Sequence, residues 1–389
     1  MALGQGPGAG EVEIEDGDRG RLAKACPFDR MIATEHSRSD DARTQSLVHA
    51  RAAITTGPAR EERVSDRAYG RAAFGALKSS PAVSSFDWER QLARLFNAYL
   101  IVDWSAAAKP ITGADSVWIG VLKRDVRFRF AFEAHNPATR AEAEAMIGAI
   151  LDDRAKRRER TLLGFDFALG LPRGLTAGLG LTQTPPWKAV WSEIDKRVKD
   201  RKDNVNNRFG AASEINRRLT GGPFPFWGCP PKDALTTLQP KKTRDHGPGD
   251  LPEFRFAEEA AKGASPVWKM YYNGSVGGQT LLGIPVAKRL AEARADRLKV
   301  WPFETGWKAL SEAELDGVDA VMAEIYPSLI KPAALPGEVK DQTQVRCLAE
   351  HFARLDEQGK LAAMFGPPAG AAAERVSVVE QEEGWILGA

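Results

Sequence analysis

The chain has 389 residues, of which 43% are hydrophobic and 27% are charged, and its formal net charge is +2. This composition is typical of a globular protein, and the near-balanced charge excludes a strong overall attraction to nucleic acid or to anionic membranes, although a local patch could still bind either. The three cysteines lie far apart and form no CxxC pair, which argues against a zinc site or a disulfide framework. No apolar run approaches the roughly 20 residues that cross a bilayer, so we expect a cytoplasmic protein without a membrane partner.

The chain changes in composition near residue 90. Residues 1–90 are rich in Gly, Ala, Ser, Arg and Asp, and such a segment buries too little apolar area to offset its ordering entropy. We therefore predict a disordered segment over 1–90, a folded domain over 91–360 and an irregular tail over 361–389. Within the domain, residues from about 173 to 300 are predicted to be a long, irregular insertion that holds a basic helical stretch over 187–218.

Strand-like segments open the domain. Residues 99–103 form an apolar run, and residues 117–122 and 128–132 follow as its expected antiparallel partners, the last alternating with period two. Residues 138–154 carry an apolar stripe that is typical of a helix. The strand predicted at 161–166 comes after this helix, which favours a parallel crossover.

Two further strands and a helix complete the predicted domain. Strand-like runs occur at 299–304 and 320–326, and a final helix begins near Asp341. The order of three antiparallel strands, helix, parallel strand, further strand and helix is the ribonuclease H topology. The sequence thus predicts an α/β fold with a ribonuclease H-like mixed sheet, in which a long insertion interrupts the parallel part.

Single aspartates follow two of these buried strands. Asp103 ends the run 99–103, and Asp166 ends the run 161–166. A carboxylate is rarely buried without a partner, so an acid in this position is either a turn-former or a site residue. In the predicted topology the two strands are neighbours, and their carboxyl ends flank a crevice of the kind that binds ligands. We therefore expect Asp103 and Asp166 to lie side by side.

Two more acids are candidates for the same crevice. Glu324 ends a strand-like run just before Tyr326 and Pro327, although it could instead pair with a lysine such as Lys331. Asp341 falls on the apolar stripe of the last helix, although an aspartate there could also cap the helix. Four carboxylates of this kind suit Mg²⁺ or Mn²⁺.

Three short motifs carry a resemblance to a known family. They are Val-Asp-Trp-Ser at 102–105, Asp-Phe-Ala-Leu-Gly-Leu-Pro at 166–172 and Glu-Ile-Tyr-Pro at 324–327. Their order and spacing over residues 98–358 resemble the predicted-nuclease family of ribonuclease H fold. The resemblance implies that the strand-end acids Asp103 and Asp166 bind a divalent metal, and the predicted metal set is completed by Asp341.

Candidate substrate ligands lie near these acids and in the insertion. Ser105 follows Asp103, and Ser275 and Gln279 belong to a loop predicted over 272–280, whose glycines permit close backbone approach to a phosphate or substrate. A structural turn is the alternative for that loop. Arg217 belongs to a basic, aromatic-containing stretch that could contact a phosphate backbone, although interleaved acids are equally typical of a solvated surface.

The sequence leaves more than one function open. The first is a nuclease or related phosphoryl hydrolase that uses Mg²⁺ or Mn²⁺ and the catalytic acids Asp103, Asp166, Glu324 and Asp341, with DNA or RNA as a partner. A non-catalytic nucleic-acid or protein binding module on the same fold is the alternative. An actin-like nucleotide-binding protein is a third, but it needs a duplicated half that the sequence does not show. The oligomeric state stays open.

Overall fold

A six-stranded mixed sheet forms the centre of the described structure, a computed structural model that covers residues 94–127 and 129–389. The strand order is β3-β2-β1-β4-β6-β5. The strands are β1 (Ala98–Asp103), β2 (Trp118–Arg124), β3 (Phe130–His135), β4 (Thr161–Phe165), β5 (Leu298–Val300) and β6 (Ala320–Glu324). The predicted disordered segment 1–90 lies outside the described residues.

Pairing within the sheet changes from antiparallel to parallel at β1. Strand β2 runs antiparallel to both β1 and β3, whereas β1 with β4, β4 with β6 and β6 with β5 are parallel. The predicted α/β class with antiparallel strands followed by parallel strands is confirmed. The strand expected over 299–304 is shorter than predicted, because the chain turns at residues 301–305 after the three residues of β5.

Nine α-helices occur within the described residues. They are α1 (Arg140–Lys156), α2 (Leu175–Gly178), α3 (Pro186–Arg197), α4 (Arg208–Thr220), α5 (Phe256–Ala260), α6 (Gly277–Glu292), α7 (Lys340–Glu357), α8 (Leu361–Met364) and α9 (Ala373–Val378). Thr139 begins α1 with a capping box, since its hydroxyl accepts from the Glu142 N–H and the Glu142 carboxylate accepts from the Thr139 N–H.

The sheet separates two apolar clusters because successive strand residues point to opposite faces. Leu100 and Val102 of β1 pack with α1 and α6, on what we call the insertion face. Tyr99 and Ile101 pack with α7, on what we call the α7 face. The apolar stripe of α7, which holds the helix against β1 and β2, consists of Val345, Leu348, Ala349, Phe352 and Ala353.

The helical stretch expected over 187–218 forms α3 and α4, and the insertion is otherwise more regular than predicted, since it also contains α2, α5 and α6. The expected loop 272–280 ends at Val276, and its last residues form the first turn of α6. Glycine there permits close packing: a Cβ atom on Gly277 would lie 2.3 Å from the Val267 carbonyl oxygen. The glycines that suggested a loop therefore allow the start of α6 to pack closely against its neighbours.

The tail also differs from the irregular segment expected after residue 360. It contains α8 and α9, and Trp385, Ile386 and Leu387 are buried against the α7 face. The Leu387 N–H donates to the Glu324 carbonyl oxygen at 2.9 Å, so the tail extends from the carboxyl end of β6. Burial of each such side chain contributes about 1.5–3 kcal/mol, so the tail is part of the domain core. Among the helices described, none is long and apolar enough to cross a membrane.

Candidate carboxylate site

Asp103 and Asp166 lie side by side at the carboxyl ends of β1 and β4. The parallel register pairs Val102 with Phe165, so each aspartate is the next residue of its strand, and paired strands lie about 4.8 Å apart. The Asp166 carboxylate accepts the Trp104 N–H at 2.7 Å, which holds it against the end of β1. The neighbouring strand ends that we expected to meet do so.

Strand alternation directs both carboxylates to the α7 face. Asp103 follows the alternation of Tyr99 and Ile101, and Asp166 follows that of Leu162 on β4. The space between β1, β4 and β6 below the pair is tightly filled, since a Cβ atom on Gly164 would lie 2.9 Å from Ile325. The two carboxylates therefore lie at the carboxyl-terminal end of the central strands, next to a tightly packed layer of side chains and below the first turn of α7.

Asp341 approaches the pair from the first turn of α7. The helix has Val339 at its N-cap position, so Asp341 does not cap it. Its Oδ2 atom instead accepts the backbone N–H of Asp115 at 2.8 Å, which joins α7 to the loop before β2. Asp341 is close enough to raise the pKa of both Asp103 and Asp166.

The carboxyl groups hold their protons unusually strongly. Loss of water raises the pKa of Asp103 well above its usual range, and the charges of Asp166 and Asp341 raise it further. Burial likewise raises the pKa of Asp166 to about 7, although the Trp104 N–H opposes this shift. Burial also raises the pKa of Asp341. Lys340 is the cation that lowers the pKa of Asp103, and no ion pair of the described residues includes any of the three aspartates.

This chemistry fits a divalent cation, with one qualification on the ligand number. Two adjacent carboxylates that repel each other and form no ion pair with a described residue are the donors that Mg²⁺ and Mn²⁺ prefer. Within residues 94–127 and 129–389, however, no three His, Cys, Asp or Glu side chains are placed to hold one ion together. The structure therefore brings Asp103 and Asp166 together as a pair, and Asp341 stays bound to Asp115 beside them.

The structure does not bring Glu324 into this site. Its two carboxylate oxygens accept from the Arg255 guanidinium at 2.6 and 2.8 Å, and one also accepts the Leu169 N–H at 3.1 Å. Alternation explains this, because Glu324 shares the insertion face with Met322. The predicted catalytic role and the Lys331 pairing are both replaced by a buried pair with Arg255.

Two of the predicted substrate ligands lie beside the pair but contact backbone. The buried Ser105 hydroxyl donates to the Asp115 carbonyl oxygen at 2.9 Å and accepts the Ala107 N–H at 3.2 Å. It therefore shapes the loop that presents Asp115 to Asp341. The Gln279 side chain donates from Nε2 to the Trp104 carbonyl oxygen at 2.6 Å, which ties α6 to the end of β1.

No contact among the described residues connects the other two predicted ligands to the carboxylates. Ser275 lies just before α6, and its N–H donates to the Tyr272 carbonyl oxygen at 3.0 Å. Arg217 is exposed near the end of α4. Neither residue is placed by its contacts at the pair.

Sequence reasoning missed two residues that shape the site. Asp115 lies beside Asp341 in a left-handed backbone conformation with φ of 56°, and its charge raises the pKa of Asp103. Its only signal is a turn-like Gly-Ala-Asp-Ser sequence. Arg140 is 1% exposed and donates to the carbonyl oxygens of Ser105 and Ala107 at 3.0 and 2.7 Å. Nothing in the sequence around Arg140 predicts that contact, which spans more than 30 residues.

No family model matches this chain, and no curated protein or solved structure matches it either.

Proposed function

We propose that this protein is a divalent-metal-dependent hydrolase of phosphodiester bonds, a nuclease built on a ribonuclease H-like fold. The observation that carries the proposal is the Asp103–Asp166 pair, two adjacent carboxylates with raised pKa values at the carboxyl ends of parallel strands, which form no ion pair with any described residue. Ligand sites of open α/β sheets lie at such ends. Burying like charges together is costly, and a bound cation would remove that cost.

The strand order supports the fold part of the proposal. Strands β3-β2-β1-β4-β6 with an antiparallel β2 have the order of a ribonuclease H sheet, and β5 adds one edge strand from the insertion. The resemblance of the three motifs to the predicted-nuclease family points the same way. Each of these observations also suits a relative that has kept the fold and lost catalysis, so activity must be tested directly.

Within this proposal the aspartates have separate roles. Asp103 and Asp166 would hold Mg²⁺ or Mn²⁺, which supplies a more acidic bound water and neutralises charge on the phosphate. Asp341 has one oxygen fixed by the Asp115 N–H, which leaves its other oxygen to accept a proton from the attacking water. Arg140 and Ser105 hold the segment after Asp103 in place, so they act as positioning residues.

One observation favours the alternative of a non-catalytic binding module. The described residues contain no group of three side chains placed to hold a metal, so an ion at the pair would take its remaining ligands from water and substrate, and a protein without that ion would keep only a binding function. An actin-like protein has less support, because residues 94–127 and 129–389 form one sheet and not two related halves.

Cleavage assays separate these functions. End-labelled single-stranded DNA, single-stranded RNA and an RNA–DNA hybrid are incubated with the full chain in Mg²⁺, in Mn²⁺ and in EDTA. We expect cleavage of at least one substrate with a metal ion and none in EDTA. Equal cleavage in EDTA would contradict the metal requirement, and binding of these substrates without any cleavage would support the binding module instead.

A further inference from the structure

The N-terminus of α6 has backbone donors without partners. The helix spans 16 residues, and no side chain caps it. The N–H of Gly277 donates to the Lys269 carbonyl oxygen and that of Thr280 donates to Val276. Among the described residues, the N–H groups of Gly278 and Gln279 between them have no acceptor. Free N–H groups and the helix dipole together favour an anion at this position.

Arg208 adds a buried cation to the same place. Its side chain is 9% exposed, and its Cδ atom lies 3.4 Å from the position that a Cβ atom on Gly278 would take. The guanidinium donates to the Asn206 side chain at 2.9 Å, but its buried Nε atom has no hydrogen-bond partner among residues 94–127 and 129–389. No ion pair in the described part of the chain includes Arg208.

The Arg208 guanidinium has nearby acids but forms no close ion pair with any described residue. Burial and the nearby charge of Arg140 together lower the pKa of Arg208 to about 10, against the opposing effect of Asp233 and Asp200. A buried charge is costly unless it is paired. A bound anion between Arg208 and the N-terminus of α6 would supply the missing partner.

This anion position adjoins the carboxylate pair. Gln279 of α6 is hydrogen-bonded to the Trp104 carbonyl oxygen at 2.6 Å, and Trp104 directly follows Asp103. The Ala106 Cβ atom lies 3.4 Å from the Cβ position on Gly278. The start of α6 is therefore packed against the segment that leaves β1.

An exposed aromatic side chain lies next to Arg208. The Arg208 guanidinium is stacked over the Phe209 ring at 4.3 Å, and the Phe209 ring contacts that of Tyr271 edge to face at 6.2 Å. Tyr271 is 39% exposed, which is unusual for a large aromatic side chain in this structure. Exposed aromatic rings beside a basic group are the surface on which unpaired bases stack.

We infer that Arg208, the N–H groups of Gly278 and Gln279, and Tyr271 form a subsite for one phosphate and the adjoining base of a single-stranded nucleic acid. The inference rests on the proposed function, because it assigns the substrate class of the same site. The subsite would hold a phosphate next to the one that is cleaved. It also replaces Arg217, the sequence-based candidate, with a buried arginine on the same helix.

Equilibrium binding in EDTA tests the subsite without any cleavage. Fluorescence anisotropy of a labelled oligothymidylate is measured with the wild type, Arg208→Gln, Tyr271→Ala and the matched control Arg217→Gln, which removes an exposed arginine of α4. Loss of a stacked base costs about 1–3 kcal/mol, so we expect binding at least about 5-fold weaker for Tyr271→Ala. Arg208→Gln should weaken binding about 10-fold or more, because it removes the arginine that contacts the phosphate. Arg217→Gln should weaken binding less than about 2-fold, because Arg217 makes no such contact.

The outcomes distinguish this subsite from the proposed catalysis. Weakened binding by both variants, in a protein that never cleaves, would support the subsite and overturn the nuclease proposal. Wild-type affinity in both variants, or loss in Arg208→Gln alone, would overturn the nucleic-acid subsite even if cleavage is observed. Unfolding midpoints show whether Arg208→Gln remains folded, and the surface substitution Tyr271→Ala keeps the test decisive if it does not.

Discussion

Replacing Asp103 with asparagine is expected to lower the rate of metal-dependent cleavage at least about 100-fold, because the substitution removes one of two carboxylates proposed to hold the ion. The same loss is expected for Asp166→Asn. An asparagine fits the space of either aspartate, so folding should be retained, and in Asp166→Asn the removal of a repelling neighbour should lower the pKa of Asp103. Single-turnover cleavage with saturating Mn²⁺ measures this effect.

Asp115→Asn is the matched control for this experiment. Asp115 is an exposed acid beside the same cluster, and its contact with Asp341 is made by its backbone N–H, which the substitution leaves in place. We expect its rate to fall less than about 5-fold, since only a screened charge is lost. An inessential group is expected to change the rate by no more than roughly 3-fold. A folded Asp103→Asn protein that cleaves within this limit would refute the proposed role of Asp103 in metal binding.

Arg255→Met is expected to lower the free energy of unfolding by about 3–5 kcal/mol, because it leaves buried carboxylates without their cation. Arg255 is 1% exposed and donates to both Glu324 and Glu258 as well as to the Glu383 carbonyl oxygen. Burial already raises the pKa of Glu258 to about 7 with the arginine present. Urea denaturation at neutral pH measures the change.

Arg244→Met provides the corresponding surface control. Arg244 forms a two-oxygen ion pair with Asp250, but this pair is exposed to solvent, so its removal should lower the free energy of unfolding far less than the removal of Arg255 does. Equal losses of unfolding free energy for the two substitutions would show that the buried Arg255 ion pairs stabilise the protein no more than an exposed ion pair does. That result would also reopen the assignment of Glu324 as a structural residue.

The central sheet could be predicted because each strand carries its own signal. The apolar runs that end at Asp103 and near Asp166 became β1 and β4, and the helix between them made their parallel pairing the natural arrangement. Local periodicity also placed α7, whose stripe lies on the sheet. The adjacency of the two aspartates followed from this topology alone.

Glu324 was assigned to the wrong face because the alternation of side chains along its strand was not extended to the last residue. Both Asp166 and Glu324 end strands, but the register pairs Glu324 with Phe165 and not with Asp166, so their side chains point to opposite faces. The partner that occupies Glu324, Arg255, lies 69 residues away along the chain in a region without a clear pattern. A contact of that range leaves no local mark in a single sequence.

The basic residues of the insertion likewise could not be told apart from the sequence. Arg208 and Arg217 are equivalent in the sequence, nine residues apart in a stretch of mixed charge. Only the fold buries Arg208 against the start of α6 and leaves Arg217 exposed. Composition indicated a basic segment but could not separate a buried arginine from a solvated one.

Unfolding of the wild type and of the Asp103→Asn, Asp166→Asn double variant, titrated with Mn²⁺ and Mg²⁺ at pH 8, tests the carboxylate site most directly. In EDTA we expect the double variant to be the more stable protein. In the folded protein the pKa of both aspartates is raised above the unfolded value of about 3.9. The wild type therefore loses stability as the pH rises through the folded pKa, which is about 7 for Asp166. At pH 5 the stability difference between the wild type and the double variant should be smaller.

Metal should reverse that order. An ion at about 100 times its dissociation constant adds roughly 2.7 kcal/mol to a folded state that binds it, and only the wild type is expected to gain this stabilisation. Such a result would establish Asp103 and Asp166 as the cation site on which the proposed function depends. No response of the wild type to either metal, together with a double variant that is less stable than the wild type in EDTA, would contradict it and make the two aspartates turn residues.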